Sequence, residues 1–291
     1  MRISYAESMV DPKFYIPLAK AAEAAGYHSM VIPDSICYPL ESDSTYPYNP
    51  DGSREFLEGK PFIEPFTLIP ALAAVTEKLR FVTFVVKLPV RHPILVAKQA
   101  SSIAVLSEGR LALGVGTSPW REDYEVLQVP FEKRGKRMDE CLEIIEGLSS
   151  GEYFEYHGEF YDFAAIKLCP VPEQPVPMLI GGHGEAALKR AARVGRGWLH
   201  GGGDLEDLPR LIERLGKLRE EYGTADRPFE VHVISLDAYS LDGLKRLEDA
   251  GVTDAIVGFR WAYDLGPDPE SLQSKIDNLN RFSETVIAKL I

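Results

Sequence analysis

The chain has 291 residues, 45% of them hydrophobic and 26% charged, ordinary values for a folded protein with a large core. Forty-four acidic against 32 basic residues leave a net charge of −12, which argues against the basic face that nucleic-acid binding needs. No apolar run approaches the ~20 residues of a membrane span, and the N-terminus lacks a secretion signal's apolar stretch, so a cytoplasmic protein is expected.

The first strand is "RISYAES" (2–8), followed by a helix from Asp11 to Ala25 that places Phe14, Leu18, Ala22 and Ala25 on one face and stops at Gly26. "SMVIPD" (29–34) is the second strand, and a polar, Tyr/Pro-rich excursion occupies 38–63. Pro65 suits the first turn of a helix. The third strand runs from Phe81 to Leu88, and Pro93 opens the next helix. "LALGVG" (111–116) follows, then a helix marked by Met138, Cys141, Leu142, Ile145 and Leu148, with Cys141 a core thiol.

A second excursion spans 152–177, where "EYFEYHGEFYDF" alternates like a small hairpin and "CPVPEQPVP" reads as a proline-stiffened lead into "PMLIGG" (177–182). "GWLHGG" (197–202), "FEVHVISL" (229–236) and "DAIVGF" (254–259) complete eight strands. Between and after them, Leu208, Leu211, Leu215, Leu218 and Tyr222, then Leu272, Ile276, Leu279, Phe282, Val286 and Leu290, step at helical spacing.

Eight strand-then-helix units with strands apolar on both sides predict an α/β protein with a parallel sheet. At this length a single (β/α)8 TIM barrel over 1–291 fits best, with insertions at about 38–63 and 152–177; an open doubly wound sheet is the alternative. The first insertion follows a strand C-terminus, the catalytic face of a barrel, and is read as a substrate lid.

Polar residues at strand C-termini are the functional candidates: Glu7 and Ser8, Asp34 and Ser35, Lys87 and Arg91, Gly116, Thr117 and Ser118, Gly181 to Gly184, His200 and Arg260. The turns "GVGTSPW" and "IGGHGEAA" could bring backbone N–H groups to an anion, which suggests a phosphate-bearing ligand. Three scattered cysteines (37, 141 and 169) fit neither a disulfide framework nor a zinc knuckle. Six histidines without an i, i+4 pair offer no dedicated metal site, and His232 is read as a packed barrel histidine.

The runs "AEAAGYHSMVIPDS", "RHPILVAKQ…LSEGRLALGVG" and "PMLIGGHGEAALKRAARVGRGW" resemble the bacterial luciferase-like flavin/deazaflavin superfamily, closest to its coenzyme F420-dependent oxidoreductases. The resemblance is nearly continuous from residue 1 to about 200 and implies a flavin-like cofactor at the barrel mouth. It implies a non-proline cis bond at Phe84–Val85 backing the cofactor ring, and Asp34 near the ring's hydrogen-bonding edge. Gly116, Thr117 and Ser118 would meet the cofactor side chain, and Gly181, Gly182, His183 and Gly184 its phosphate.

Lys87, with Arg91 and Arg121, would edge the site toward the acidic F420 tail. Where many members carry histidine after the strand-two acid, this chain has Ser35 as the candidate catalytic residue; a general acid, if needed, would be His200, Tyr5, a lid tyrosine (Tyr46 or Tyr48) or water. The glutamate of sugar-phosphate-oxidising members is absent from "TSPW", which disfavours that activity.

The expected function is F420-dependent hydride transfer to or from a small-molecule substrate, in a homodimer without nucleic-acid or membrane partners. An FMN-dependent monooxygenase is the nearest alternative. A non-redox barrel enzyme gripping a phosphorylated substrate, or a cofactor-binding but catalytically silent protein, is the more distant one.

Overall fold

The computed structural model describes residues 1–46, 49, 51–203 and 207–290. In chain order the strands are β1 (Arg2–Ala6), β2 (Ser29–Ile32), β3 (Arg80–Thr83), β4 (Val86–Lys87) and β5 (Leu111–Gly116). A hairpin, β6 (Phe154–His157) and β7 (Asp162–Ile166), precedes β8 (Met178–Gly181), β9 (Gly197–His200), β10 (Glu230–Ile234) and β11 (Asp254–Val257). The helices are α1 (Tyr15–Ala24), α2 (Pro65–Ala73), α3 (Pro93–Leu106), α4 (Arg121–Val126) and α5 (Arg134–Ser149). They continue as α6 (Glu185–Val194), α7 (Asp207–Glu221), α8 (Leu241–Asp249) and α9 (Leu272–Thr285).

Parallel pairing runs β3-β2-β1-β11-β10-β9-β8-β5, and β5 returns to β3 through Phe81↔Leu111 and Val82↔Ala112. The sheet therefore closes into an eight-stave (β/α)8 barrel, and the open doubly wound alternative is excluded. One stave departs from the sequence reading: the third strand is broken between Thr83 and Val86, and β4 resumes against β5 at Val86↔Val115.

The leucines of α7 at 208, 211, 215 and 218 are all buried against the barrel, as are Leu279 and Phe282 of α9. Each such side chain contributes about 1.5–3 kcal/mol on leaving water. Cys141 lies in the same core, where burial pushes its thiol up to about 12.

The barrel floor is closed by charge. Arg80 donates twice to Glu230 at 2.9 Å, His232 meets the same carboxylate at 2.7 Å, and Arg2 holds Asp254 at 2.5 Å. Glu230, His232 and Asp254 bring one ligand-type atom each within 4.8 Å of one another. Two guanidinium groups balance the two carboxylates in a charged plug that includes the expected barrel histidine, with His232 Nδ1 and Asp254 Oδ1 left without a hydrogen-bond partner. Burial raises the Glu230 pKa, but the His232 and Arg80 hydrogen bonds outweigh it and bring it to about 2.

A folded-state value below the ordinary 4.5 means this stabilisation is complete above pH 4.5 and is lost as pH falls through about 2. Thermal midpoints should therefore drop across that window, and Arg80→Ala should flatten the drop. An unchanged pH profile in that variant would contradict the assignment.

Candidate active site

The break in the third stave builds the back of the mouth. Phe84 N–H donates to the Ile32 carbonyl at 2.7 Å, and the buried Thr83 hydroxyl to the Gly114 carbonyl at 2.7 Å. The Phe84–Val85 peptide bond is cis, as the resemblance implies. Three glycines make room for this bulge. A Cβ on Gly114 would stand 1.9 Å from the Thr83 carbonyl oxygen. One on Gly116 or Gly181 would stand 2.8 or 2.9 Å from the Val85 methyls. The glycines of β5 and β8, read in sequence as anion holders, thus have a steric reason at Gly116 and Gly181. Below the bulge, buried Val82, Ala112, Leu179 and Leu199 form an inner apolar cluster, while Phe84 and Val85 on top remain partly exposed.

Beside this wall stand two buried ion pairs. The side chain of Asp34, just past β2, is fully buried and takes both ends of the Arg91 guanidinium at 2.9 Å and the Lys87 backbone N–H at 3.0 Å. Lys87, at the end of β4, meets Asp123 of α4 at 2.7 Å, and Asp123 accepts from the Ser118 hydroxyl at 2.8 Å. Ser118 adopts φ 59° and also accepts from Trp120 N–H. Arg121 pairs with Glu132 at the surface. All three cations expected at the rim have carboxylate partners; Lys87 and Arg91 are largely buried with theirs, as charges leaving water require. Thr117 gives its carbonyl to the Tyr124 hydroxyl, and Ser35 follows Asp34 half-buried.

Past β8, Gly182 has φ 118° and Gly184 caps α6, where an added Cβ would meet nothing within 4 Å. The N-terminus of α6 is consequently open to an anion. His183 stacks on His200 at 4.3 Å and 8°, and its Nε2 accepts from Gly201 N–H at 3.2 Å. His200, at the end of β9, is fully buried, and burial together with His183 lowers its pKa to about 4. Burial and the neighbouring His183 thus favour the neutral ring at neutral pH, packed flat on His183 beside the Gly201–Gly203 turn.

Opposite the wall opens a cavity of about 930 Å³ at the C-terminal ends of β1, β9, β10 and β11. Ile234, Leu236, Tyr239, Phe259 and Trp261 give it an apolar, aromatic lining, and Glu7 and Arg260 are its charged groups. Both were recognisable as polar strand ends, but neither carried a role in the sequence reading. Glu7 is buried, accepts from the Tyr5 hydroxyl at 2.7 Å and lies 3.3 Å from Lys275. Its burial raises the carboxyl above the usual range despite the opposing Lys275.

The 38–63 insertion closes over the mouth. Tyr46 stacks on buried Trp120 at 5.4 Å, and Arg54 lies 4.2 Å over the same indole. Glu122 collects the Ser42 and Ser44 hydroxyls and Arg54. Burial alone would raise the Glu122 pKa; the two hydroxyls lead the effects that bring it to about 2. Asn49 reaches the cavity lining, and Tyr48 lies outside the described residues. Glu122→Ala should free the insertion, and cleavage by trypsin after Arg54 should accelerate about tenfold or more, equivalent to ~1.4 kcal/mol of lost docking. Equal digestion rates would contradict the docking role.

Fold and site together define a (β/α)8 barrel whose mouth carries a bulged third strand on one side and an apolar cavity on the other. The model of the luciferase-like monooxygenase family matches residues 3–260, and the chain belongs to that family, whose members are oxidoreductases or monooxygenases.

A protein of Mycobacterium tuberculosis is 66% identical over 290 residues, covering 100% of each chain. The F420-dependent glucose-6-phosphate dehydrogenase of Gordonia bronchialis is 25% identical over 236 residues, 77% of this chain and 64% of that one. Among solved structures, the monooxygenase RslO1 from Streptomyces bottropensis superposes with a TM-score of 0.75 at 16% identity over 100% of both chains, a likeness of fold. Among the described residues no helix is long and apolar enough to cross a membrane.

Proposed function

We propose that the protein is an F420-dependent oxidoreductase that moves a hydride between C5 of the deazaflavin and a small organic substrate. The observation that carries this reading is the apolar wall: Val85, seated in the notch of Gly116 and Gly181, stays partly exposed at the mouth, where it would back a flat ring. The residues present fit the cofactor. Phe84 and Val85 would support the ring, and Asp34, held by Arg91, would fix its polar edge. The open start of α6 at Gly184, with Gly181, Gly182 and His183, would take the phosphate. Gly116, Thr117 and Ser118 would border the side chain between them.

When bound, the deazaflavin supplies two-electron hydride chemistry and no more. The protein's part is to hold one ring face, exclude water through the 38–63 insertion and leave the opposite face to substrate. The F420-dependent relative supports this choice of cofactor. The match to the luciferase-like monooxygenase family keeps one second reading, an FMN-dependent monooxygenase using the same wall. Lys87 and Arg91, both committed to carboxylates, stiffen the wall in either case.

Equilibrium titration with F420 and with FMN, read by cofactor fluorescence, separates the two. Saturable micromolar F420 binding with no FMN binding is expected; the reverse pattern would sink the proposal. A homodimer belongs to the same reading and is measured by light scattering.

A further inference from the structure

We propose that the barrel carries a second ligand site at the end opposite the mouth, and that it takes an apolar α-amino acid. The site is independent of the cofactor reading above.

A cavity of about 510 Å³ lies between α3, the end of α5, the proline-rich segment before β8 and the residues that open β8 and β10. Met178 and Glu230 are the first residues of those strands, so the cavity sits at their N-terminal ends, away from the mouth. Its volume is that of an ordinary small-molecule pocket. Ala97, Ala100, Ile145, Leu168, Val176 and Phe229 supply the apolar surface.

The walls are formed in advance of any ligand. Pro172, Pro175, Pro177 and Pro228 fix their own φ and bring no backbone N–H to the lining. The segment before β8 is tied to α3, where Lys98 Nζ donates to the Cys169 carbonyl at 2.5 Å and the Ser101 hydroxyl to the Pro170 carbonyl at 2.7 Å. It is tied to β5 through Leu113 N–H on the Pro177 carbonyl at 2.9 Å. The Arg219 guanidinium covers the Phe229 ring at 4.4 Å. A ligand entering here has little of the protein to order.

The polar groups of the lining define the head of the ligand. Its charged residues are Glu146, Arg196 and Glu230. Glu230 is committed to Arg80 at 2.9 Å and His232 at 2.7 Å. Arg196 and Glu146 are both exposed, and among the described residues neither side chain has an ion-pair or hydrogen-bond partner. They do not pair with each other although they border the same space. The Ser101 and Ser149 hydroxyls are engaged with the Pro170 and Glu146 carbonyls.

Two free charges of opposite sign beside one apolar cavity match a zwitterion. The guanidinium takes the ligand's carboxylate and Glu146 takes its ammonium. Glu146 and Ser149 lie in the last turn of α5, where the negative end of the helix dipole adds to the pull on the ammonium. The apolar walls then receive the side chain, which favours aromatic and branched amino acids over polar ones.

Calorimetric titration of the full-length protein with L-phenylalanine tests the site. One saturable binding event of sub-millimolar affinity is expected. Arg196→Ala and Glu146→Ala should each weaken it about tenfold or more, since each removes one charge-assisted partner. Both positions are exposed, so the urea midpoints of these variants should match the wild type. Ser149→Trp, at the half-buried end of α5, should fill the cavity and abolish binding.

Two truncated ligands separate recognition of the head from simple apolar uptake. 3-Phenylpropionate, which lacks the ammonium, should bind more weakly and be insensitive to Glu146→Ala. Phenethylamine, which lacks the carboxylate, should bind more weakly and be insensitive to Arg196→Ala. Equal binding of all three molecules, retained in both variants, would overturn the amino-acid assignment, as would tighter binding of either truncated ligand than of phenylalanine. Wild-type protein that shows no saturable binding overturns the site itself.

Discussion

Gly114→Ala should cost the barrel about 3 kcal/mol or more, read as a lowered urea midpoint with an unchanged slope. The new Cβ would lie 1.9 Å from the Thr83 carbonyl oxygen and 2.6 Å from a Leu199 methyl. The first neighbour is backbone and cannot swing aside. Thr83 is pinned by its own hydroxyl on the Gly114 carbonyl, so β3 and β5 would have to separate. Alanine at Gly116 or Gly181 should behave differently, since the obstacle there is the Val85 side chain. Those variants should fold yet bind F420 about tenfold or more weakly, ~1.4 kcal/mol, and Val85→Ala in the same chain should restore part of the affinity. Wild-type midpoints for Gly114→Ala would contradict the close packing on which the wall depends.

Arg91→Ala should be the second large loss, about 3–5 kcal/mol, because it strands a buried carboxylate. The Asp34 carboxylate is fully buried and would keep only the Lys87 backbone N–H. Arg91→Lys should recover little, as an ammonium cannot reproduce the two parallel 2.9 Å hydrogen bonds. Asp34→Asn, which removes the charge together with the need for it, should cost less than Arg91→Ala. The order of these three midpoints, measured by urea denaturation, checks the argument; Arg91→Ala at wild-type stability would refute it.

The two excursions and eight staves were legible because apolar runs and helical spacing are local properties of the chain. The alternation in 152–163 did form the β6–β7 hairpin, and α7 lies where its leucines place it, whereas α9 stops at Thr285 and the expected continuation to Leu290 is a separate 3-10 turn at Ile287–Lys289. Other features depend on partners far away in sequence. Lys87 reads as a rim charge until Asp123 is brought to 2.7 Å. Glu7 reads as an ordinary strand end, and its Lys275 partner lies 268 residues on. Gly116 and Gly181 look like flexible turn glycines, yet the bulge in a neighbouring stave decides their size. His200 looked like a proton donor because it ends a strand at the mouth; its burial under His183 is a matter of packing. The position of the bulge itself came from the family resemblance, since no periodicity marks Phe84–Val85.

The central claim is that the Val85 bulge, set into Gly116 and Gly181, is the support for a deazaflavin ring. A crystal structure of the protein with F420 tests it most directly. The account predicts the tricyclic ring in van der Waals contact with Val85, its opposite face turned toward the cavity that holds Glu7. A ring bound away from Val85, with the bulge left uncovered, would contradict it.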